Sequence, residues 1–126
     1  MPRILVVDDE AHITHVVALK LRNAGHDVDT AGDGEEGFEA ASSGNYDLII
    51  TDIQMPYMTG LELAAKLAGQ QRTRDVPVIV LTARGYKLDR ESIEGTGIRA
   101  ILAKPFSPRE VLAHVQQILE EGREAA

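Results

Sequence analysis

Short apolar runs alternate with stretches of helical periodicity from one end of the chain to the other. Ile4 to Val7 form a first buried strand, which stops at Asp8, Asp9 and Glu10. From Ala11 the spacing of Ile13, Val16, Val17 and Leu21 fits one face of a helix, and Gly25 closes it as a C-terminal cap. Asp27 to Ala31 alternate acids with Val28 and Thr30, as a half-exposed edge strand does. Asp33 with Glu36 opens the next helix in the manner of a capping box. Gly37 weakens that helix by roughly 1 kcal/mol relative to Ala, and Gly44 ends it. Leu48, Ile49 and Ile50 make a strand buried on both faces, which delivers Thr51 and Asp52 at its C-terminal end. Pro56 and Gly60 mark the following segment as a loop. Thr59 with Glu62 is a second capping-box pattern, ahead of Leu61, Leu63, Ala64, Leu67 and Ala68.

Gln70 to Asp75 read as a solvated exit from that helix, and Val78 to Leu81 as a fourth strand ending at Thr82. Between Arg84 and Gly97, Leu88 and Ile93 suggest a short helix that Gly95, Thr96 and Gly97 cut off early. Ala100 to Ala103 form a fifth strand ending at Lys104-Pro105. Ser107, Pro108 and Glu110 supply N-cap, N1 and N3 of a last helix with Val111, Leu112, Val115, Ile118 and Leu119 on its apolar face. Gly122 is expected to end it, leaving residues 123–126 as a frayed tail. Five strand-helix units joined by right-handed crossovers predict an α/β fold: a doubly wound (βα)5 three-layer sandwich around a five-stranded parallel sheet. A flavodoxin-like strand order, 2-1-3-4-5, puts the polar second strand at an edge.

Composition narrows the function. At 126 residues the chain is expected to be a single domain over residues 1–122, and 44% hydrophobic content with 4% aromatic requires an aliphatic core. The absence of cysteine excludes disulfides, thiolate metal sites and cysteine nucleophiles. A net charge of −7 argues against direct contact with nucleic acid or an anionic membrane. No apolar run approaches bilayer length and the start does not read as a signal peptide, so a cytoplasmic protein without membrane insertion is expected.

The chemistry gathers at the strand ends. Asp8, Asp9, Asp52, Thr82 and Lys104 all follow the C-terminal ends of strands that are neighbours in the expected order. Three mutually repelling carboxylates invite a divalent cation, and oxygen ligands without His or Cys favour Mg²⁺. Lys104 adds a positive charge and Thr82 a hydroxyl donor. Around a carboxylate nucleophile, that set suits phosphoryl transfer, which is mostly positioning and charge stabilisation.

On Val7-Asp8-Asp9-Glu10, Asp52 with Met55-Pro56 and Met58-x-Gly60, Thr82-Ala83 and Lys104-Pro105-Phe106, the sequence strongly resembles the receiver domain of two-component response regulators, in a single-domain, chemotaxis-regulator-like form. The resemblance covers nearly the whole chain. It implies that Asp52 accepts a phosphoryl group from the phosphohistidine of a sensor histidine kinase or a histidine phosphotransfer protein. Asp9, Asp52 and the backbone carbonyl of Gln54 would ligate Mg²⁺, with Asp8 acting largely through water. Thr82 and Lys104 would contact the phosphoryl oxygens, Ala83 would leave room beside the phosphorus, and the Lys104-Pro105 bond would be cis. Gln54 and Arg84 would flank the path of attacking water and tune the phosphoryl lifetime. The partner surface, read by an unidentified target or by a phosphorylation-dependent dimer, would switch on phosphorylation, with the kinase docking around His12 to Val17.

One position departs from the family pattern. Receivers usually carry Tyr or Phe three residues before the lysine, and this chain has Ile101, which lacks a polar tip. Tyr86 is a candidate to substitute for part of that role. The rival readings are weaker. A phosphohydrolase of the haloacid dehalogenase type needs a second Asp where Gln54 stands, so a non-enzymatic phosphoacceptor is expected rather than a turnover enzyme. A flavodoxin-like cofactor binder needs a Gly- or Ser/Thr-rich phosphate loop after the first strand, where this chain has three acids. His12 and His15 lie three apart on a helix but have no third ligand; Asp33, Glu35 and Glu36 suit a helix N-terminus.

Overall fold

The computed structural model describes residues 2–83 and 90–125, with the backbone alone at 90, 92 and 123–125. Five strands, β1 (Arg3–Val7), β2 (Asp27–Ala31), β3 (Leu48–Asp52), β4 (Val78–Thr82) and β5 (Ile98–Ala103), alternate with five helices. These are α1 (Ala11–Asn23), α2 (Gly34–Ser43), α3 (Gly60–Ala68), α4 (Arg90–Ile93) and α5 (Pro108–Ala125). All strand pairings are parallel and the order is β2-β1-β3-β4-β5, as the alternation of elements predicts.

The two faces of the sheet bury separate aliphatic clusters. Ile4, Val6, Leu48, Ile50, Ile79 and Leu81 pack with Val17 and Leu21 of α1 and Val111 and Val115 of α5. Leu5, Val7, Ile49, Val78 and Val80 pack on the other face with Ala41 of α2 and Leu63 and Leu67 of α3. The period of two along a strand explains why the odd and even residues of β1 and β3 divide this way. β2, with Asp27, Asp29 and Thr30 exposed, is the polar edge. Arg3 braces that end of the sheet through Asp29 at 3.0 Å and Asp27 at 3.4 Å, with its guanidinium over the Tyr46 ring.

The caps follow the sequence closely. Thr59 and Glu62 form a reciprocal capping box on α3. On α2, Asp33 accepts from the Glu36 N–H at 2.8 Å, but the Glu36 carboxylate reaches one residue further back, to the Gly32 N–H at 3.1 Å. Gly25, at φ +96°, terminates α1 one residue beyond its cap Ala24.

Four sequence expectations need correction. α5 does not stop at Gly122 but runs on to Ala125, so residues 123–125 are its last turn rather than a tail; glycine only weakens a helix, and this one adopts no positive φ. β5 begins at Ile98, two residues early, because the Val78 N–H pairs with the Gly97 carbonyl at 2.8 Å and starts the ladder there. Thr73, within the expected solvated exit, is 3% exposed: its hydroxyl donates to the Leu67 carbonyl at 2.6 Å and accepts from the Gln70 amide at 3.0 Å. Gly37 is not merely a weak point in α2. A Cβ there would lie 2.8 Å from Cγ2 of the fully buried Val7, so the missing side chain is what lets α2 lie flat on β1. Gly37→Ala gains helix propensity but overpacks a closed interface, and is expected to destabilise the fold by about 1–3 kcal/mol in a urea titration.

Candidate functional site

Register brings the strand ends level. Val7 pairs with Thr51, Asp52 with Leu81 and Thr82 with Ala103, so the residues leaving β1, β3, β4 and β5 emerge side by side. Backbone bonds just past the strands hold them there. The Asp8 N–H donates to Ala31 at 3.1 Å, Ile53 N–H to Leu81 at 2.8 Å, and Lys104 N–H to Thr82 at 2.7 Å. Asp52 has the parity of Leu48 and Ile50, and Asp8 that of Ile4 and Val6, so both turn toward the α1/α5 side.

Carboxylate oxygens of Asp8, Asp9 and Asp52 come within 4.8 Å of one another. Asp8 and Asp52 are 1% and 3% exposed, whereas Asp9 faces solvent. Lys104 reaches in from the end of β5, its Nζ 3.1 Å from Asp52 Oδ1 and 3.8 Å from Glu10 Oε1. The Lys104-Pro105 peptide is cis, as the resemblance implies. Thr82 is buried at the end of β4, but its hydroxyl donates to the Ala83 carbonyl at 3.4 Å rather than toward the acids. Half-buried Ala83 follows, and Gln54 is exposed in the loop after β3. Ile101 points outward from β5 with 40% exposure. Arg84, Tyr86 and Leu88 lie outside the described residues.

Among the described residues the electrostatics are those of a site short of positive charge. Burial, with the neighbouring Asp52 charge adding to it, pushes the Asp8 carboxyl up to about 6 even though the Glu10 N–H donates to its Oδ1 at 2.9 Å. Burial likewise raises Asp52 above the ordinary carboxylate value, with Lys104 pulling the other way. Burial opposes the charge on Lys104 as well, but its hydrogen bond to Asp52 and the charges of Asp52, Asp8 and Glu10 outweigh it and raise its pKa. Asp8 Oδ2 is buried with no hydrogen-bond partner among the described residues. A buried, unpartnered carboxylate oxygen beside two more carboxylates fits a hard divalent cation with oxygen ligands, as Mg²⁺ is.

Three contributors carried no sequence signal or a faint one. Glu10 shares Lys104 with Asp52, which only the fold reveals. Gly60 sits so close to β3 that a Cβ there would overlap the Asp52 carbonyl oxygen, and its N–H donates to the Ile53 carbonyl at 2.9 Å; its place in Met58-x-Gly60 was the available hint. Tyr57 is the one non-glycine residue with positive φ among the described residues, at +67°, a conformation that costs on the order of 1–2 kcal/mol.

Because the fold favours protonated Asp8, this group's contribution to stability is complete below its ordinary 3.8 and is lost as pH rises through about 6. With divalent cations chelated, Asp8→Asn is therefore expected to be more stable than the wild type at pH 7.5, by up to about 3 kcal/mol. The difference should vanish by pH 4, as read by denaturant unfolding at both pH values.

The comparisons with known proteins agree with this geometry. A family model described as the response regulator receiver domain matches residues 4–116. The alkaline phosphatase synthesis transcriptional regulatory protein PhoP of Bacillus subtilis is 39% identical over 124 residues, covering 98% of this chain and 51% of its own length. The chain thus spans about half the length of the curated relatives it matches. Among solved structures, chemotaxis response regulator CheY4 of Vibrio cholerae superimposes with a TM-score of 0.85 at 33% identity, covering 94% of this chain and 98% of that one. Response regulator TrrA of Thermotoga maritima, in complex with Mg(2+)-BeF, gives a TM-score of 0.80 at 36% identity, covering 94% and 99%. A parallel sheet in the order 2-1-3-4-5, an acid cluster at its C-terminal edge and these matches make one statement: the chain belongs to the receiver domain family of two-component response regulators.

Proposed function

We propose that Asp52 is the phosphoacceptor of this receiver, and that the residues around it make the transfer and its reversal possible. The observation that carries the reading is the 3.1 Å contact between Lys104 Nζ and Asp52 Oδ1 beside the Asp8 and Asp9 carboxylates. In the transfer, an Asp52 oxygen attacks phosphorus in line with the P–N bond of a phosphohistidine. An O–P bond forms, the P–N bond breaks, and the imidazole nitrogen keeps the electron pair.

Lys104 keeps its proton because acids surround it, so it is a fixed positive charge for an oxygen of the arriving group. Thr82 supplies a hydroxyl that must rotate away from the Ala83 carbonyl to donate to that group; a 3.4 Å hydrogen bond is weak and easily given up. Asp9, Asp52 and the Gln54 carbonyl would hold Mg²⁺, with Asp8 acting through water, and the ion would supply the remaining positive charge to the phosphoryl oxygens. Asp8 has to be ionised to help hold it, so cation affinity rises as pH rises through about 6. Ala83 leaves space beside the phosphorus, and Gln54 flanks the approach of water that returns the domain to its resting state.

The domain acts as a phosphoacceptor and not as a turnover enzyme. Its donor is a histidine kinase or a histidine phosphotransfer protein in the cytoplasm, docking on the exposed side of α1, where Ile13 and Val16 border an apolar depression shared with Pro105 and Phe106. Its output is a change in partner binding, to a target protein or a second copy. With Ile101 outward on β5, that change involves no aromatic ring at this position. No described helix is long and apolar enough to cross a membrane.

The experiment is incubation with acetyl phosphate and Mg²⁺ followed by intact-mass measurement. The wild type is expected to gain one phosphoryl group, Asp52→Asn none, and Lys104→Ala to label at least about 100-fold more slowly. A wild-type chain that stays unlabelled while its fold is intact would contradict the reading.

A further inference from the structure

Helix α1 holds no acidic residue from Ala11 to Asn23, in a chain whose net charge is −7. Val17, Ala18 and Leu21 turn one side of it into the core. The side away from the core carries His12, His15, Val16 and Leu19, at the spacings of three and four residues that line up along one helix face. His12 and His15 are exposed and border one open depression along the helix. Val16 and Leu19, 38% and 50% exposed, continue the stripe toward the helix C-terminus. His12, His15 and Leu19 thus follow the a, d, a spacing by which one helix packs along another in a two-stranded coiled coil.

Two side chains three residues apart on a helix can ligate the same metal ion. Imidazole nitrogens suit Zn²⁺ and its neighbours rather than Mg²⁺, and a closed zinc site takes four ligands in a tetrahedron. The fold gives this pair no third histidine or carboxylate: among the described residues the one group of three such ligands is Asp8, Asp9 and Asp52. A second copy related by a twofold axis supplies two more imidazoles and completes the set. The apolar residues fix the direction of that copy. Both lie on the C-terminal side of the histidines, so two α1 helices running the same way put the four histidines at one level and stack Val16 and Leu19 on their own counterparts at the next. An antiparallel crossing at the histidines would set Leu19 over the acidic start of the other helix, at Asp9 and Glu10. Val16 and Leu19 alone are too small a patch to hold two acidic chains together, since a stable interface buries on the order of 1,200 Å² or more. The metal is what makes the contact.

We propose that His12 and His15 are half of a zinc site, completed by the same two residues of a second copy, and that zinc joins two receivers through parallel α1 helices. The dimer covers the exposed side of α1 and makes no use of the acid cluster, so the inference stands apart from the phosphoacceptor reading.

The test is analytical ultracentrifugation at pH 7.5 as Zn²⁺ is titrated into the wild type, His12→Ala, His15→Ala and Leu19→Lys. All three positions are exposed, and thermal unfolding without zinc checks that each variant is folded. The wild type is expected to be a monomer with zinc chelated and a dimer at one zinc per two chains, with Mg²⁺ unable to substitute. Each histidine variant should need at least about tenfold more zinc for half-dimerisation. Leu19→Lys should dimerise about tenfold more weakly at saturating zinc, because two ammonium groups then face each other. A wild type that stays monomeric with zinc, or that dimerises as well without it, overturns the proposal. So does zinc-driven dimerisation that survives unchanged in both histidine variants, which would put the metal on other ligands. A Leu19→Lys dimer as tight as the wild type, or tighter, overturns the parallel α1 contact.

Discussion

Everything at the working end of this protein follows from one unfavourable fact: Asp8, Asp9 and Asp52 are forced together, two of them where water is scarce, with Lys104 as the nearest compensating charge among the described residues. Two of the three carboxylates are nearly inaccessible, and one has a buried oxygen with no partner among the described residues. Such an arrangement persists only because the rest of the fold outweighs it. Two aliphatic clusters and a fully parallel ladder fix the strand ends, and the strand ends fix the acids. Positive charge delivered to this point relieves the repulsion. That gives the site its appetite for a cation and for the phosphoryl chemistry a cation assists.

The same logic assigns work to residues that do no chemistry. Gly37 lets α2 close on β1 over Val7, and Gly60 lets the loop after β3 rest on the Asp52 backbone, so neither element can drift and let the carboxylates separate. Glu10 both donates its N–H to Asp8 and draws Lys104 toward the mouth of the site. Lys104 is thus shared between a buried acid and an exposed one, which leaves it able to follow an incoming anion without losing all of its partners.

Much of this was legible in the sequence, for physical reasons. β1, β3 and β4 are apolar runs buried on both faces, and each stops at an acid or a hydroxyl, so the strands, their order and the converging Asp8, Asp52 and Thr82 could be read together. The caps at Asp33 and Thr59 were legible because they rest on residues three apart in sequence. What stayed hidden depends on contacts that neither capping patterns nor periodicity encode. The role of Gly37 is a contact with Val7, and the burial of Thr73 depends on the Leu67 carbonyl and the Gln70 side chain of the same turn. The start of β5 is a ladder bond between Val78 and Gly97. Continuation of α5 past Gly122 shows a local rule losing to helix cooperativity, since a long helix tolerates one glycine near its end. Tyr57 was invisible for a different reason, because a backbone angle leaves no mark on composition or periodicity.

The most direct measurement is a calorimetric titration of the wild type, Asp9→Asn and Asp52→Asn with Mg²⁺ at pH 7.5. If converging carboxylates create the demand for a cation, the wild type will bind one Mg²⁺ per chain in a saturable isotherm, and each variant will bind at least about tenfold more weakly. A wild type with no saturable binding, or variants that bind as well as it does, would contradict the account.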